Sequence, residues 1–270
     1  MHKKHSTAAA AALILALASS GAWAQANRSS IPTEDQGVAR EAAVQNAARP
    51  LLQAARAKPY LGGYWRIAQP VTALTTVEGK APPLNAAGQK ALRQVAAERK
   101  AGRNPDPMDV CLPPGTPRSL LVDKPFLIAH AAAKVTFFHQ VYHVIRHVYL
   151  DGPLKITDDS RDELWEGTSS GRWEGDTLVI ETANFNGKQW LDDSGLPQST
   201  DMRVTERIRR VDGSTLENLV TYEDAKYYSK PWTARMTFKA QPASTLLVEE
   251  DCAEKLLDFP MKEYAPELPR

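Results

Sequence analysis

Arg203-Val-Thr-Glu-Arg-Ile-Arg-Arg-Val-Asp-Gly-Ser-Thr-Leu-Glu-Asn-Leu-Val-Thr-Tyr-Glu223 consists of two alternating runs joined at Val211-Asp212-Gly213-Ser214. Asp-Gly adopts the positive φ angles of a type I′ turn without strain, so the stretch predicts a β-hairpin. On its first arm Val204, Glu206, Ile208 and Arg210 share one face, which sets two charged groups among apolar ones. Moving toward the N-terminus, Trp173-Glu174-Gly175-Asp176-Thr177 supplies a second turn, with Leu178 and Ile180 alternating beyond it. Moving toward the C-terminus, Ala234, Met236 and Phe238 alternate with Thr233, Arg235, Thr237 and Lys239. That is the pattern of a strand with one buried and one wet face.

Strand-like segments at 135–140, 145–150, 171–174, 177–182, 203–211, 215–223, 233–239 and 245–251 predict a mainly β chain of about eight strands, largely meander-connected. A sheet of that size curls or closes to hide its apolar face and its edges. An antiparallel barrel is expected, with room for one small ligand, and a two-sheet sandwich is its competitor. Leu61-Gly62-Gly63-Tyr64-Trp65 adds a Gly-x-Trp of the kind that opens lipocalin-like barrels. Ahead of the strands, the Ala/Glu/Gln/Arg-rich stretch 33–58 predicts one or two short helices interrupted by Pro50. A further helix is expected over about 85–102, capped by Asn85 and stopped by Gly102 and Pro105. The prolines 105, 107, 113, 114 and 117 then make an ordered loop.

Composition narrows the class. The 270 residues are 43% hydrophobic and 24% charged, ordinary for a globular protein, which excludes collagen, coiled coil and wholesale disorder. Lys plus Arg number 33 against 32 Asp plus Glu, so no overall field recruits nucleic acid or an anionic membrane. Lys3 and Lys4, the apolar run from Ala8 to Ser19 and Ala22-Trp23-Ala24 predict an export signal over 1–24, with periplasm or medium as destination. Its alternative is a buried N-terminal helix. No later run has the roughly 20 apolar residues of a membrane span. A helical arm at 25–59 and a barrel domain at 60–270 complete the expected organisation.

Export places the only two cysteines, Cys111 and Cys252, in an oxidising compartment, where a disulfide is expected over two buried thiols. By loop entropy such a bridge contributes about 4 to 5 kcal/mol, less any native strain.

Cys111-Leu-Pro-Pro-Gly-Thr-Pro-Arg118, Arg146 to Leu150 with Asp151-Gly152, Gly171-Arg-Trp-Glu-Gly-Asp-Thr-Leu-Val179 with Asn184-Phe185, and Glu206-Arg207 resemble a group of exported bacterial proteins of unassigned function. The likeness covers about 60–254. It implies a calycin-like barrel and the Cys111 to Cys252 bridge, and it assigns no catalytic residue. One departure stands out: where the group has an acid before the first hairpin turn, this chain has His139-Gln140.

Beyond the predicted signal, histidines occur only at 130, 139, 143 and 147. The segment Val135 to Leu150 is rich in Val, Ile, Phe and Tyr, which favours strand over helix. A hairpin centred on His143 would set His139 opposite His147 on one face. Those imidazoles with Glu206 or Asp151 could hold a divalent metal such as zinc, or act as acid and base in a lyase, isomerase or hydrolase. Equally, they are polar positions on a wet face. Glu206 on an apolar face calls for an Arg partner. Tyr142, Arg146, Trp173, Trp190 and Tyr222 are the candidate ligand-binding side chains, and Trp165, Trp232, Tyr227 and Tyr228 add aromatic surface. No nucleophile elbow, phosphate loop or dinucleotide fingerprint occurs. Two functions remain: an exported barrel binding a small apolar or aromatic molecule without a required cofactor, or an enzyme in the same interior.

Overall fold

Among the described residues, nine strands form a sheet that leaves no free edge. The computed structural model describes residues 60–150, 152, 164–250 and 252. The expected export signal at 1–24, the helical arm at 25–59 and Asp151 lie outside them. The strands are β1 (Gly63–Ile67), β2 (Phe126–His130), β3 (Lys134–His139), β4 (Ile145–Tyr149), β5 (Thr168–Glu174), β6 (Thr177–Ala183), β7 (Arg203–Asp212), β8 (Thr215–Glu223) and β9 (Trp232–Ala240). They pair in chain order, and β1 pairs with both β2 and β9, so the sheet is a closed barrel. Closure decides against the sandwich. All neighbours are antiparallel except β4 and β5, which run parallel.

The count differs from the expected eight in three places. The Gly-x-Trp opening is β1, and the five-residue β2, too short to stand out after Pro125, was not anticipated. The expected strand at 245–251 is not formed: 241–250 carries no strand. With both edges of the sheet used by the β1–β9 pairing, no ladder is left for it.

Alternation places Trp65, Phe126, Ile128, Phe137, Ile180, Val220, Met236 and Phe238 in the buried core. Each such side chain contributes roughly 1.5–3 kcal/mol of burial. β7 and β8 form the expected hairpin, with a bulge between Arg210 and Asp212, but the turn is Gly213-Ser214 and neither Asp212 nor Gly213 has a positive φ, so it is not the type I′ turn expected. Asp212 instead ties the turn by accepting the Ser214 amide and hydroxyl. Helix α1 (Ala86–Lys100) starts where Asn85 caps it, Oδ1 accepting from the Ala87 and Gly88 amides. The Asn85 amide also donates to the carbonyls of Ala225 and Lys226, fixing the helix to the β8–β9 turn. Gly88 lets the two approach, because a Cβ there would lie 2.3 Å from the Tyr227 carbonyl oxygen.

Strand registers put residues 139, 145, 168, 183, 203, 223 and 232 at one rim. The same end carries the 184–202 connection, the β8–β9 turn and the segment from β1 to β2, which includes α1. Buried polar contacts hold these connections together. Arg118 grips Asp106 through two guanidinium nitrogens and reaches Asp193 at 2.8 Å. Asp192 accepts the Leu74 amide at 2.7 Å, and Asp224 accepts the Ser199 amide at 2.8 Å. Cys111 is disulfide-bonded to Cys252, 141 residues away. No helix among the described residues is long and apolar enough to cross a membrane.

Candidate functional site

The alternation that fills the barrel with apolar side chains also turns several polar ones inward. On β4 only Arg146 and Val148 are buried, so the Arg146 guanidinium enters the interior at 2% exposure. A charge there needs partners. Its Nε donates to Ser169 Oγ at 3.1 Å, and Nη2 donates to Thr182 Oγ1 at 2.8 Å and to the Glu206 carboxylate. Ser169 and Thr182, opposite one another across β5 and β6, are hydrogen-bonded at 2.9 Å. Glu206 is fully buried on β7, and its second oxygen accepts from Asn218 Nδ2 at 2.9 Å.

Around this pair lie three more ionisable groups. Glu166, just before β5, accepts from the Thr116 hydroxyl through Oε2. The residue as a whole is half-buried, but Oε1 is shielded from solvent and has no partner. Burial pushes its carboxyl up to about 7; the Thr116 hydrogen bond and the Arg146 charge pull it down, and Glu206 pushes it further up. His139 stacks on Phe126 at 5.4 Å and lies 6.3 Å from Phe137. Burial, aided by Arg146, lowers it to about 3, so it is neutral at physiological pH. Tyr222 stacks on Trp232 at 4.3 Å, and burial raises its phenol well above the ordinary range, with the Glu206 charge acting in the same direction.

Five buried polar atoms of these residues have no hydrogen-bond partner among the described residues: His139 Nε2, Glu166 Oε1, Asn218 Oδ1, Tyr222 Oη and Trp232 Nε1. Each unmet buried polar group costs about 1–3 kcal/mol. Further partnerless buried atoms lie in the rim connections, on Arg118, Ser119, Gln189 and Gln198, while these five belong to side chains in or near the Arg146–Glu206 pair and its stacked rings.

Of the sequence-predicted residues, His139, Arg146, Glu206 and Tyr222 converge here, and His147 does not. The β3–β4 register pairs His147 with Thr136, not with His139. His139 faces inward, whereas His147 lies on the exposed face of β4 and bonds Thr136 Oγ1 through Nδ1 at 3.0 Å. The reason is the turn: Val141–His143 forms a 3₁₀ turn offset from the expected centre, and His139 N–H bonds the Val144 carbonyl. Moving the register by one residue changes the face on which a side chain lies. The opposed imidazole pair is thus absent, and the two rings do not share a metal ion. Among the described residues no group of three His, Cys, Asp or Glu side chains could hold one.

The remaining candidates sit elsewhere. Tyr142 donates its hydroxyl to the Met108 carbonyl at 2.7 Å, outside the cluster. Trp173 packs at the edge of the core, 6.0 Å from the His130 ring. Trp190 lies in the rim connection beneath the guanidinium groups of Arg99 and Arg118. Sequence reading missed Glu166, Ser169, Thr182 and Asn218. For Asn218 a signal existed: it is the one polar residue on the face of β8 that carries Leu216, Val220 and Tyr222. Glu166 had none, since its hydrogen bond with Thr116 joins residues 50 positions apart. No protein-family model and no curated protein matches this chain.

Proposed function

We propose that this chain is an exported, lipocalin-like barrel that binds a small molecule in its interior, with an apolar or aromatic body and a polar group. The observation that carries this reading is the set of five polar atoms, without partners among the described residues, near a buried ion pair, with His139 packed on Phe126 and Phe137 and Tyr222 stacked on Trp232. A protein that only needed a stable core would gain by filling these positions with apolar side chains. A ligand that supplies the missing hydrogen bonds recovers their cost. Because these atoms are shielded, the ligand enters as the rim connections part. The Cys111–Cys252 disulfide supports export, as do the basic, apolar and small-residue regions of 1–24. The motifs at 111–118 and 171–179 support kinship with exported calycin-like proteins.

Native mass spectrometry of the protein purified from an exporting host tests the reading. The expected result is a stoichiometric organic adduct that is lost when Arg146→Met and Glu206→Leu are combined. A protein without an adduct, and without affinity for any member of a panel of aromatic amines, alcohols and carboxylates, overturns it.

One observation favours a second reading, a lyase, isomerase or hydrolase in the same interior. The Glu166 carboxyl, held near 7, is poised to give and take a proton at neutral pH, a role the separated His139 and His147 do not fill as a pair. Consumption of the bound adduct by the parent protein but not by Glu166→Gln would establish turnover.

A further inference from the structure

Closure is unequal around the barrel. β7 and β8 are in register from Arg203–Glu223 to Asp212–Thr215, whereas β4 and β5 meet only at Val148–Ser169 and Tyr149–Ser170. That seam is also the one parallel pairing, slightly weaker per residue than an antiparallel one. Carried one and two steps toward the rim, its register sets His147 beside Thr168 and Arg146 beside Gly167, where no further pair forms. Gly167 supplies the reason. It takes φ +63°, and a Cβ on it would lie 2.7 Å from the Ala183 carbonyl oxygen, so the chain entering β5 leans on β6. The residues just before it are held on the same side. The Leu164 amide donates to the Asn184 carbonyl, the Asn186 amide to the Leu164 carbonyl, and Gln189 Nε2 to the Trp165 carbonyl at 2.9 Å. A slot is thus left on the rim side of the seam, between the start of β4 and 164–168.

One side chain spans it. Arg146 reaches across from β4, its Nε donating to Ser169 on β5 and its Nη2 to Thr182 on β6 and Glu206 on β7. Its Nη1 has no hydrogen-bond partner among the described residues, so the same guanidinium keeps a donor for an entering acceptor. Deeper in the barrel the seam is shut by packing: Val148 is fully buried, and a Cβ on Gly171 would lie 2.8 Å from its Cγ1. On the outer face of β4, Ile145 and Tyr149 are exposed, which puts apolar surface beside the slot.

Given the interior-binding reading, we propose that this slot is the portal of the barrel and Arg146 its latch. A small molecule with an apolar or aromatic body passes between β4 and 164–168 when Arg146 lets go of Ser169 and Thr182, and the Glu206 charge draws the latch back. The parting of the rim connections is concentrated where the ladder is shortest.

The experiment is stopped-flow fluorescence with 2-naphthol as the probe. His147→Cys with Thr168→Cys, oxidised, staples the foot of the slot on the outer face, and peptide mapping confirms that Cys111–Cys252 is kept. Thr221→Cys with Thr233→Cys, oxidised, staples β8 to β9 at a pair already hydrogen-bonded at 2.8 Å. The first staple is expected to slow association and dissociation by about tenfold or more with Kd unchanged, and the second to leave both rates as they are. Ser169→Ala, which cuts one tie of the latch and keeps the Arg146–Glu206 pair, is expected to raise both rates about fivefold at unchanged Kd. Equal rates in the two stapled proteins overturn the portal and leave the binding barrel standing. Where a stapled variant does not fold, Ser169→Ala decides, and unchanged rates there overturn the latch. Absence of binding by 2-naphthol and by the panel of aromatic amines, alcohols and carboxylates removes the binding reading and the portal with it.

Discussion

Two arginine networks built from the same residue types lie on opposite sides of the barrel wall. Inside, the side chains of Arg146 and Glu206 are 2% and 1% exposed. Outside, on the β5–β6 hairpin and β7, Arg172 binds Glu174 and Glu181, and Arg207 binds Glu174, with all four side chains between 39% and 56% exposed. The outer charges keep most of their hydration, gain little from pairing and are screened by salt. The inner pair is shielded from solvent, its described hydrogen bonds beyond the pair come from Ser169, Thr182 and Asn218, and the groups left over are what a ligand can use. A hydrogen bond of similar length is surface decoration in one place and a constraint on the interior in the other. Depth behind the wall makes the difference.

The sharpest way to break this comparison is Glu206→Ala, which leaves the Arg146 guanidinium buried without its counter-charge. A loss of about 3–5 kcal/mol is expected in urea unfolding. A loss no larger than that of an outer-face variant would show that the interior is solvated. Removing both charges, Arg146→Met with Glu206→Leu, is expected to cost less than Glu206→Ala alone, because no uncompensated ion remains. The same double variant should still lose the ligand.

The next effects are in pH, and two interior groups pull in opposite directions. Glu166 titrates near 7 when folded and near 4.5 when free, so the folded state holds the extra proton between those values. Its contribution to stability is complete at low pH and is lost as pH rises from about 4.5 to about 7. His139 titrates near 3 when folded against 6.5 when free, so its contribution is complete above 6.5 and is lost as pH falls toward 3. Urea midpoints across pH 4 to 8 should therefore lose their high-pH decline in Glu166→Gln and part of their acid decline in His139→Phe. Unchanged slopes in both variants would place these groups in water. The smallest effect is expected outside: Glu174→Ala should leave the urea midpoint unchanged within error in 1 M salt.

Part of this interior was legible in the sequence. The alternation around Glu206 put a carboxylate on an apolar face and called for an arginine, and Arg146 is that arginine. Tyr222 was marked only as one aromatic side chain among several, and the β7–β8 hairpin and the Asn85 cap were readable from local chemistry, although the type of turn was not. Register was not readable. His139 and His147 are eight residues apart in any reading, but a 3₁₀ turn with Tyr142 and His143 at positive φ decides which of them enters the barrel, and no Gly or Asn marks that turn. Glu166 looked like one acid in a polar stretch.

The sequence by itself determined what depends on neighbours along the chain: the period-two strands, the turns, the helix cap, the two cysteines and the polar residues stranded on apolar faces. Tertiary structure alone decided what depends on distant pairing. It joined β1 to β9 and so removed the edge that an eighth expected strand would have needed. It separated the two imidazoles, bridged 111 to 252, and brought Glu166 beside Thr116 and Arg146. Closure and burial are properties of the whole sheet: a side chain's partners and its dielectric surroundings are set by strands that lie tens of residues away, and these govern the charge state of Glu166 and of His139.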